Sequence, residues 1–431
     1  MNIVMMTNTY LPMLGGVARS VAWFTEAFRQ QGHRVLVVAP TFENMPQHEQ
    51  DVVRVPALQK FNGSDFSVRL PVPGLVDDAL DEFHPDIVHS HHPFLLGDTA
   101  LRVAALHDLP IVFTHHTMYE QYTHYVPGDS PAMKRFAIRL ATEYANLCDH
   151  VIAPSESIAA VLRGRGVRVP MTPIPTGIDK DRFAKGDGAA ARQRYGIEES
   201  AFVVGHVGRL APEKNLALLA RAVAQFSASH PHTHFLVVGK GPSEEDIEKI
   251  FANRGLSDRL HMTGSLDGQA LTDAYHAMDV FAFASKSETQ GMVLAEAMTT
   301  GAPVVAIDAP GAREVVRDGE NGRLLPTEDE SEFVAALSWI HSLTPERRSA
   351  MGQAARKTAE EFAMPRCAQR VLEIYQSLID AGTSQTIDDA PWSTILRCIE
   401  EEWNIWTGIG HAVTDALFGT KDQEQHPGKQ G

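Results

Sequence analysis

Two glutamates with seven residues between them, Glu288 and Glu296, stand in the segment SETQGMVLAEAMTTGAPVVA over residues 287–306. An ionised carboxylate accepts hydrogen bonds and donates none, so two of them held at separate points suit a ligand rich in hydroxyl groups, for example a hexose at one end and a ribose at the other. The pattern predicts a helix starting near Gln290, with Glu288 in the loop before it and Glu296 about two turns further along. The first N–H groups of such a helix, those of Gln290, Gly291 and Met292, lack intrahelical partners and would face the same ligand. Leu294, Ala295 and Ala297 surround Glu296 with apolar side chains, which argues against a solvated helix face.

The segment GHVGRLAPEKN (205–215) brings Arg209 and Lys214 into a loop between a strand end and a helix. A planar guanidinium and a point-charge ammonium converging there suit a diphosphate. In LPMLGGVARS (11–20), Gly15 and Gly16 open another helix, where bare N–H groups and the helix dipole favour an anion; a tight strand-to-helix turn explains the pair equally well. His89, His91 and His92 recur near His115 and His116, and alternate residues of one strand share a face. No cysteine or nearby carboxylate completes a ligand set with metal spacing, so these histidines are read as polar lining of a sugar cleft, with no metal predicted. Asp179–Lys180–Asp181 has the D–x–D form of a metal-diphosphate motif but falls in a connecting segment and reads as a solvated turn. The aromatic run Met118, Tyr119, Tyr122, His124 and Tyr125, followed by Pro127 and Gly128, suits either loop packing or an acceptor loop, and the second reading is preferred.

The elements that must position these residues are legible as alternation. Short Val/Ile-rich runs at 2–6, 34–40, 86–91, 110–116 and 150–155 alternate with stretches of helical period, beginning with a helix near 16–31. A second series follows at 201–208, 234–239, 260–264, 280–285 and 303–308, in which Gly239 and Gly264 end two of the strands and are assigned to the nucleotide-sugar site. This predicts an α/β protein of two Rossmann-like, doubly wound parallel-sheet domains facing across a cleft at their strands' carboxyl ends. The run VPMTPIPTGIDKDRF (169–183) is read as the linker. The predicted domains are 1–175, on the acceptor side, and 176–365, on the nucleotide-sugar side, with a helix at 366–381 packing back onto the first. Residues 382–431 form an extension: a helix bearing Trp392, Trp403 and Trp406, then a disordered tail.

Length and composition agree with two such domains. The chain has 431 residues and a net charge of −16, most of it beyond residue 175, so a general nucleic-acid binder is excluded and any bound anion must be gripped by a few placed cations. Three scattered cysteines, Cys148, Cys367 and Cys398, fit a reducing compartment. The start lacks a secretory pattern and no apolar run is long enough to span a membrane, so the cytoplasm is the expected location, with peripheral contact on the inner membrane face left open.

GRLAPEKN, VVGKGP, ETQGMVLAEAMTTGAPVVA and GAREVVRDGENGRLL resemble the nucleotide-sugar domain of the retaining glycosyltransferase family 4, of GT-B fold. LPMLGGVARS and THHTMYEQYTHYVP resemble its N-terminal domain, particularly in the bacterial branch that glucosylates diacylglycerol. The resemblance covers roughly residues 1–380 and has no counterpart for the extension. It implies that Glu288 holds the donor hexose, Glu296 the ribose, Arg209 and Lys214 the leaving diphosphate, and the Gly16 backbone the β-phosphate, while His116 lies beside the anomeric carbon. It further implies metal-independent hexosyl transfer from a UDP-sugar, which is a co-substrate, with no cofactor and with retention of configuration. His91, His92, Tyr119, Tyr122 and Tyr125 are the expected acceptor-side residues. A lipid such as diacylglycerol is the favoured acceptor; a soluble or polymer-linked sugar, or an epimerase of related fold, is the alternative. A membrane partner would find cations at Lys134, Arg135 and Arg139 and at Arg163, Arg165 and Arg168, although PVPGLVDDALDEF (71–83) is acidic where membrane-binding relatives often carry a basic helix.

Overall fold

The computed structural model describes residues 1–13, 15–46, 49–58, 68–69, 76–121, 130–286 and 288–383. The chain divides into two compact units, one of Met1–Ile174 with the segment from Ala368, the other of Pro175–Cys367.

The first unit runs β1 (Asn2–Met6), α1 (Gly16–Gln30), β2 (Arg34–Pro40), β3 (Val52–Val55), a short antiparallel pair β4 (Ala57–Leu58) and β5 (Val68–Arg69), α2 (Asp77–Phe83), β6 (Ile87–Ser90), α3 (Leu96–His107), β7 (Ile111–Thr114), α4 (Pro131–Asn146), β8 (His150–Ala153), α5 (Glu156–Gly164) and β9 (Met171–Pro173). Seven strands pair in parallel in the order β3-β2-β1-β6-β7-β8-β9. Val4, Met6, Val38, Val88 and Phe113 share one buried core with the apolar sides of α3 and α5. Strands covered on both faces must be largely apolar, which is why β1 reads as a hydrophobic run, while β6 and β7 give way to buried polar residues, His89, Ser90 and Thr114, at their carboxyl ends.

The second unit runs α6 (Lys180–Phe183), α7 (Gly188–Arg194), β10 (Phe202–Val207), α8 (Leu216–Ser229), β11 (Thr233–Val238), α9 (Glu244–Ala252), β12 (Leu260–Met262), α10 (Gly268–His276), β13 (Val280–Phe283), α11 (Met292–Thr300), β14 (Val304–Ile307), α12 (Ala312–Val315), β15 (Gly322–Leu325), α13 (Glu330–His341) and α14 (Pro345–Glu361). Its strand order, β12-β11-β10-β13-β14-β15, is the doubly wound 3-2-1-4-5-6 arrangement. Period-2 geometry splits its apolar residues into two cores: Val203, Leu236, Phe281 and Phe283 pack with α10 and α11, while Val204, Phe235, Val237 and Ala282 pack with α8, α9 and α13.

Several predicted boundaries shift. Residues 169–183 are not linker throughout, because Met171–Pro173 forms edge strand β9 against β8 and Asp179 caps α6, accepting the Arg182 N–H at 3.1 Å. Pro170 and Pro173 hid this strand, yet an edge position tolerates residues without an N–H. Strands β3 and β15 were also missed; each is short and lies at a sheet edge. The last described helix, α15 (Met364–Thr383), buries Tyr375 completely, edge-on to Phe28 at 5.7 Å, and Arg370 donates to the Pro173 carbonyl at 2.7 Å. The rest of the extension, with its three tryptophans, lies outside the described residues.

Candidate functional site

In the second unit the strand order reverses between β10 and β13, and the loops leaving these two strands must diverge there and open a crevice at the sheet's carboxyl edge. The first loop carries Arg209 and Lys214, the second Glu288. Lys214 Nζ donates to Glu288 Oε1, and both side chains are largely covered, 16% and 24% exposed. The two groups predicted to hold different parts of a ligand thus neutralise each other. Arg209 is half-exposed and pairs with Glu213 four residues on, a partner absent from the sequence reading. A pair this open to solvent contributes little and is readily exchanged for a stronger anion. Close by, the Gly239 N–H donates to the Gly264 carbonyl at 2.9 Å, which fastens β11 to the segment after β12. Gly239 has φ +145°, and a Cβ there would lie 1.8 Å from the Gly208 carbonyl oxygen, so only glycine lets these loops approach.

The helix after β13 starts later than predicted. Gly291 is its N-cap in the left-handed region (φ 62°, ψ 37°), and α11 begins at Met292, so Glu296 sits about one turn in rather than two. A Cβ on Gly291 would meet the Gly311 carbonyl oxygen at 2.5 Å, and one on Gly311 would crowd the Gln290 and Gly291 nitrogens and Glu288 Cβ. Gly311 therefore backs the loop that carries Glu288. The Gln290 side chain is a brace: its Oε1 accepts the Thr176 N–H at 2.6 Å, and its Nε2 donates to Thr176 Oγ1 at 3.0 Å. Glu296 is buried, 3% exposed, and accepts the Tyr275 hydroxyl at 2.7 Å. Tyr275, on α10, was not foreseen, since nothing local links it to residue 296.

His206, near the end of β10, was also overlooked although it lies within GHVGRL. Its Nδ1 sits 3.1 Å from the Ala282 carbonyl, which can only accept, so the ring's proton is on Nδ1 and its buried Nε2, without a hydrogen-bond partner, keeps a lone pair. Burial pushes its pKa down to about 4, with the Lys214 charge acting the same way against the Ala282 hydrogen bond.

The first unit repeats the topology. Its order reverses between β1 and β6, and the following loops carry Gly15 and Gly16 on one side and His91 and His92 on the other. Gly15 caps α1 in an extended conformation (φ −160°), and a Cβ on either glycine would meet nothing within 4 Å. These glycines therefore leave the helix start bare, and no acidic side chain occupies the first turn. Asn8 ties the two loops together: its Oδ1 accepts the Leu96 N–H at 3.1 Å and its Nδ2 donates to the Phe94 carbonyl at 3.0 Å. The Asn8 N–H donates to His92 Nδ1 at 3.1 Å, so the proton of neutral His92 is on Nε2.

The five histidines are buried together. His91 Nδ1 and His116 Nε2 share a hydrogen bond of 2.9 Å, and the His89 and His91 rings lie 4.2 Å apart. His89 is anchored on both sides, by Tyr375 at Nδ1 and by Thr114 Oγ1 at Nε2, 2.7 Å away. Burial drives the pKa values of His89, His92, His115 and His116 down to about 3, helped at His89 and His92 by His116 and at His115 by Arg165 and His116. His91 falls well below the usual value, through burial first and then its histidine neighbours. All five are neutral at pH 7. Among the described residues no group of three or more His, Cys, Asp or Glu is arranged to hold a metal ion. In the D–x–D string, Asp179 is spent on its cap and Lys180 pairs with Glu360.

On the predicted acceptor side, Tyr119 packs edge-on against Phe94 at 5.4 Å and His115 at 6.0 Å, and burial raises its pKa. Tyr122, His124 and Tyr125 lie outside the described residues. Arg139, Arg165 and Arg168 line one pocket of about 360 Å³ with Glu143 and Asn146, but Arg139 is paired with Glu143 and Arg165 with Glu120. Among the described residues no helix is long and apolar enough to cross a membrane.

Comparison with known proteins gives the family. Residues 14–182 match the model of Glycosyltransferase Family 4, and residues 188–358 that of Glycosyl transferases group 1. The chain is 29% identical over 402 residues to an alpha-monoglucosyldiacylglycerol synthase of Acholeplasma laidlawii, covering 89% of this chain and 99% of that protein. It is 28% identical to a GDP-mannose-dependent alpha-mannosyltransferase of Corynebacterium glutamicum (88% and 89% covered) and 30% identical to a D-inositol 3-phosphate glycosyltransferase of Geodermatophilus obscurus (73% and 71% covered). Among solved structures, Anabaena HepE in complex with UDP and glucose superposes with a TM-score of 0.68 at 24% identity (88% and 100% covered). Sucrose-phosphate synthase of Thermosynechococcus elongatus superposes with a TM-score of 0.71 at 23% identity (88% and 99% covered). With two doubly wound parallel sheets, and with one family model matched in each half, the chain belongs to glycosyltransferase family 4 and has the GT-B fold.

Proposed function

We propose that this glycosyltransferase moves a hexose from a UDP-sugar to a hydroxyl of a lipid such as diacylglycerol, with retention of configuration and without a metal. The observation that carries the donor half is the covered Lys214–Glu288 pair at the switch point of the second sheet, with buried Glu296 behind it. On this reading, arrival of the donor splits the pair: Lys214 and Arg209 take the diphosphate and Glu288 the hexose hydroxyls, while Glu296, oriented by Tyr275, takes the ribose. The N–H groups of Gln290, Gly291 and Met292 border the sugar, and the bare start of α1 at Gly15 and Gly16 takes the β-phosphate. The acceptor half falls to His91, His92, His116 and the tyrosine-bearing segment after β7.

The step breaks the bond between the anomeric carbon and the phosphate oxygen and forms one to the acceptor oxygen on the same face. The departing phosphate oxygen takes the acceptor's proton, so no protein nucleophile is needed. Negative charge grows on the diphosphate as the bond lengthens, and preorganised cations stabilise that state more than the ground state. With a pKa of about 3, His116 stays neutral and serves beside the anomeric carbon as a polar group.

The lipid acceptor is supported by the two alpha-monoglucosyldiacylglycerol synthases among the relatives, one of them matched over nearly its whole length. GDP-mannose and inositol phosphate, which appear in the names of others, define the competing donors and acceptors. The test is a screen reading nucleoside diphosphate release from UDP-glucose, UDP-galactose and GDP-mannose, each with diacylglycerol vesicles, soluble sugars or inositol 3-phosphate. Release from UDP-glucose that rises with diacylglycerol is expected. Release only from GDP-mannose, or a rate indifferent to lipid, refutes the donor or the acceptor respectively.

A further inference from the structure

Residues 7–15 connect β1 to α1 and deliver Gly15 and Gly16 to the helix start. The near end of this loop is fastened: the Thr7 N–H donates to the Val38 carbonyl at 3.0 Å, Asn8 is tied to the loop after β6, and Tyr10 is buried. Beyond Tyr10 the side chains offer little burial, since Leu11 and Pro12 are exposed and Met13 is half-buried. Arg54, on edge strand β3, reaches this stretch. Its Nη2 donates to the Leu11 carbonyl at 2.5 Å and its Nη1 to the carbonyl of Pro40, the last residue of β2, at 2.9 Å. The guanidinium is itself aimed from the opposite side, because both oxygens of Glu49 accept from it, at 2.6 Å from Nε and 2.6 Å from Nη2. The two side chains are only 10% and 13% exposed. The rings of Tyr10 and Phe42 lie 5.5 Å and 5.8 Å from the guanidinium carbon. A planar fork serves a carboxylate and two carbonyls at once, which the point charge of a lysine does not.

We infer that Arg54 is a positioning residue: by tethering the Leu11 carbonyl to Glu49 and to the end of β2, it fixes the path of the loop that presents the Gly15 and Gly16 backbone to the β-phosphate. Arg54 acts through the loop and touches no substrate. Backbone donors hold an anion well only when they are already in place, because a loop left free must be ordered as the ligand arrives. The cost of losing the tether therefore falls on the group that meets the helix start, and the rest of the nucleotide is spared. The anchor is firm, since Arg54 pairs in register with Ala39 and the Thr41 N–H prolongs the β2–β3 ladder to the Val55 carbonyl at 2.9 Å.

This inference rests on the proposed placement of the β-phosphate at the start of α1, and UMP, which lacks that phosphate, separates the two. Calorimetric titration of the full-length protein with UDP and with UMP is the test. The unmutated chain is expected to prefer UDP. Arg54→Met combined with Glu49→Gln, which leaves no buried charge unpaired, is expected to bind UDP about tenfold more weakly and UMP within about twofold of the unmutated chain. Arg54→Lys keeps a cation beside Glu49 but lacks the fork, and is expected to show the same selective loss. A UDP-over-UMP preference undiminished in either variant overturns the proposal. So does an equal loss of UDP and UMP binding, which a general loosening of the fold would give. An unmutated chain that binds UDP no better than UMP refutes instead the proposed placement of the β-phosphate, and this inference with it.

Discussion

Replacing Glu288 by Gln separates the two roles proposed for the Lys214–Glu288 pair. In the structure the Lys214 ammonium is held by Glu288, so on the proposed donor placement a diphosphate must first draw it away. Two unit charges in contact near a protein surface attract by about 4 kcal/mol at an effective dielectric constant of about 20. Desolvation and side-chain ordering return much of that, and for a pair 16% and 24% exposed about 1–2 kcal/mol remains. Glu288→Gln frees the lysine and removes one negative charge from the anion site, so UDP alone should bind about 5- to 30-fold more tightly. The amide also weakens a charge-assisted contact to the hexose, so kcat/KM for the UDP-sugar should fall about tenfold or more. Calorimetric titration of UDP into both proteins, with steady-state nucleotide release alongside, gives the two numbers. Tighter product binding with poorer turnover is the expected signature. Equal or weaker UDP binding by Glu288→Gln would mean that Lys214 is not the diphosphate ligand, and the assignment of the crevice would fail.

Tyr275→Phe deletes the hydroxyl that orients Glu296 without opening a cavity, and should raise the donor KM about three- to tenfold with kcat little changed in a donor titration; an unchanged KM would leave Glu296 without a ribose role. Gly291→Ala forces a Cβ to within 2.5 Å of the Gly311 carbonyl at φ +62°, and should cost about 2–3 kcal/mol, read as a drop of about 4–10 °C in Tm. The buried histidines bear on acid stability. The folded pKa values of His89, His92, His115 and His116, about 3, lie below the unfolded value of 6.5, so the unfolded chain takes up protons first and stability is lost as pH falls from 6.5 towards 3. His115→Leu removes one such group, whose two ring nitrogens have no hydrogen-bond partner, and between pH 7.5 and 5.0 the balance should move about 2 kcal/mol in the variant's favour in urea unfolding.

What was legible in the sequence follows from the range of the forces that write it. β10 and β11 announce themselves because a strand covered on both faces has almost no position left for a polar residue, a constraint visible within six residues. Edge strands carry no such constraint, and β9 could hide between prolines. The same distinction runs through the site. Glu288, Arg209 and Lys214 are legible as candidates because strand-end loops rich in glycine have local backbone demands, and Glu296 because a carboxylate among apolar helix neighbours is conspicuous. Their partners are set by topology: Glu288 meets a lysine 74 positions away, and His89 meets a tyrosine 286 positions away. No periodicity encodes contacts at those separations. The pairings nevertheless bear on the proposed chemistry, because an isolated lysine and glutamate would advertise two independent charges, whereas the joined pair is neutral overall until, on the proposed reading, a diphosphate sugar divides it. On that proposal the lysine's charge is withheld until the ligand supplies the competing negative group, so the free site of this acidic chain exerts little pull on other anions.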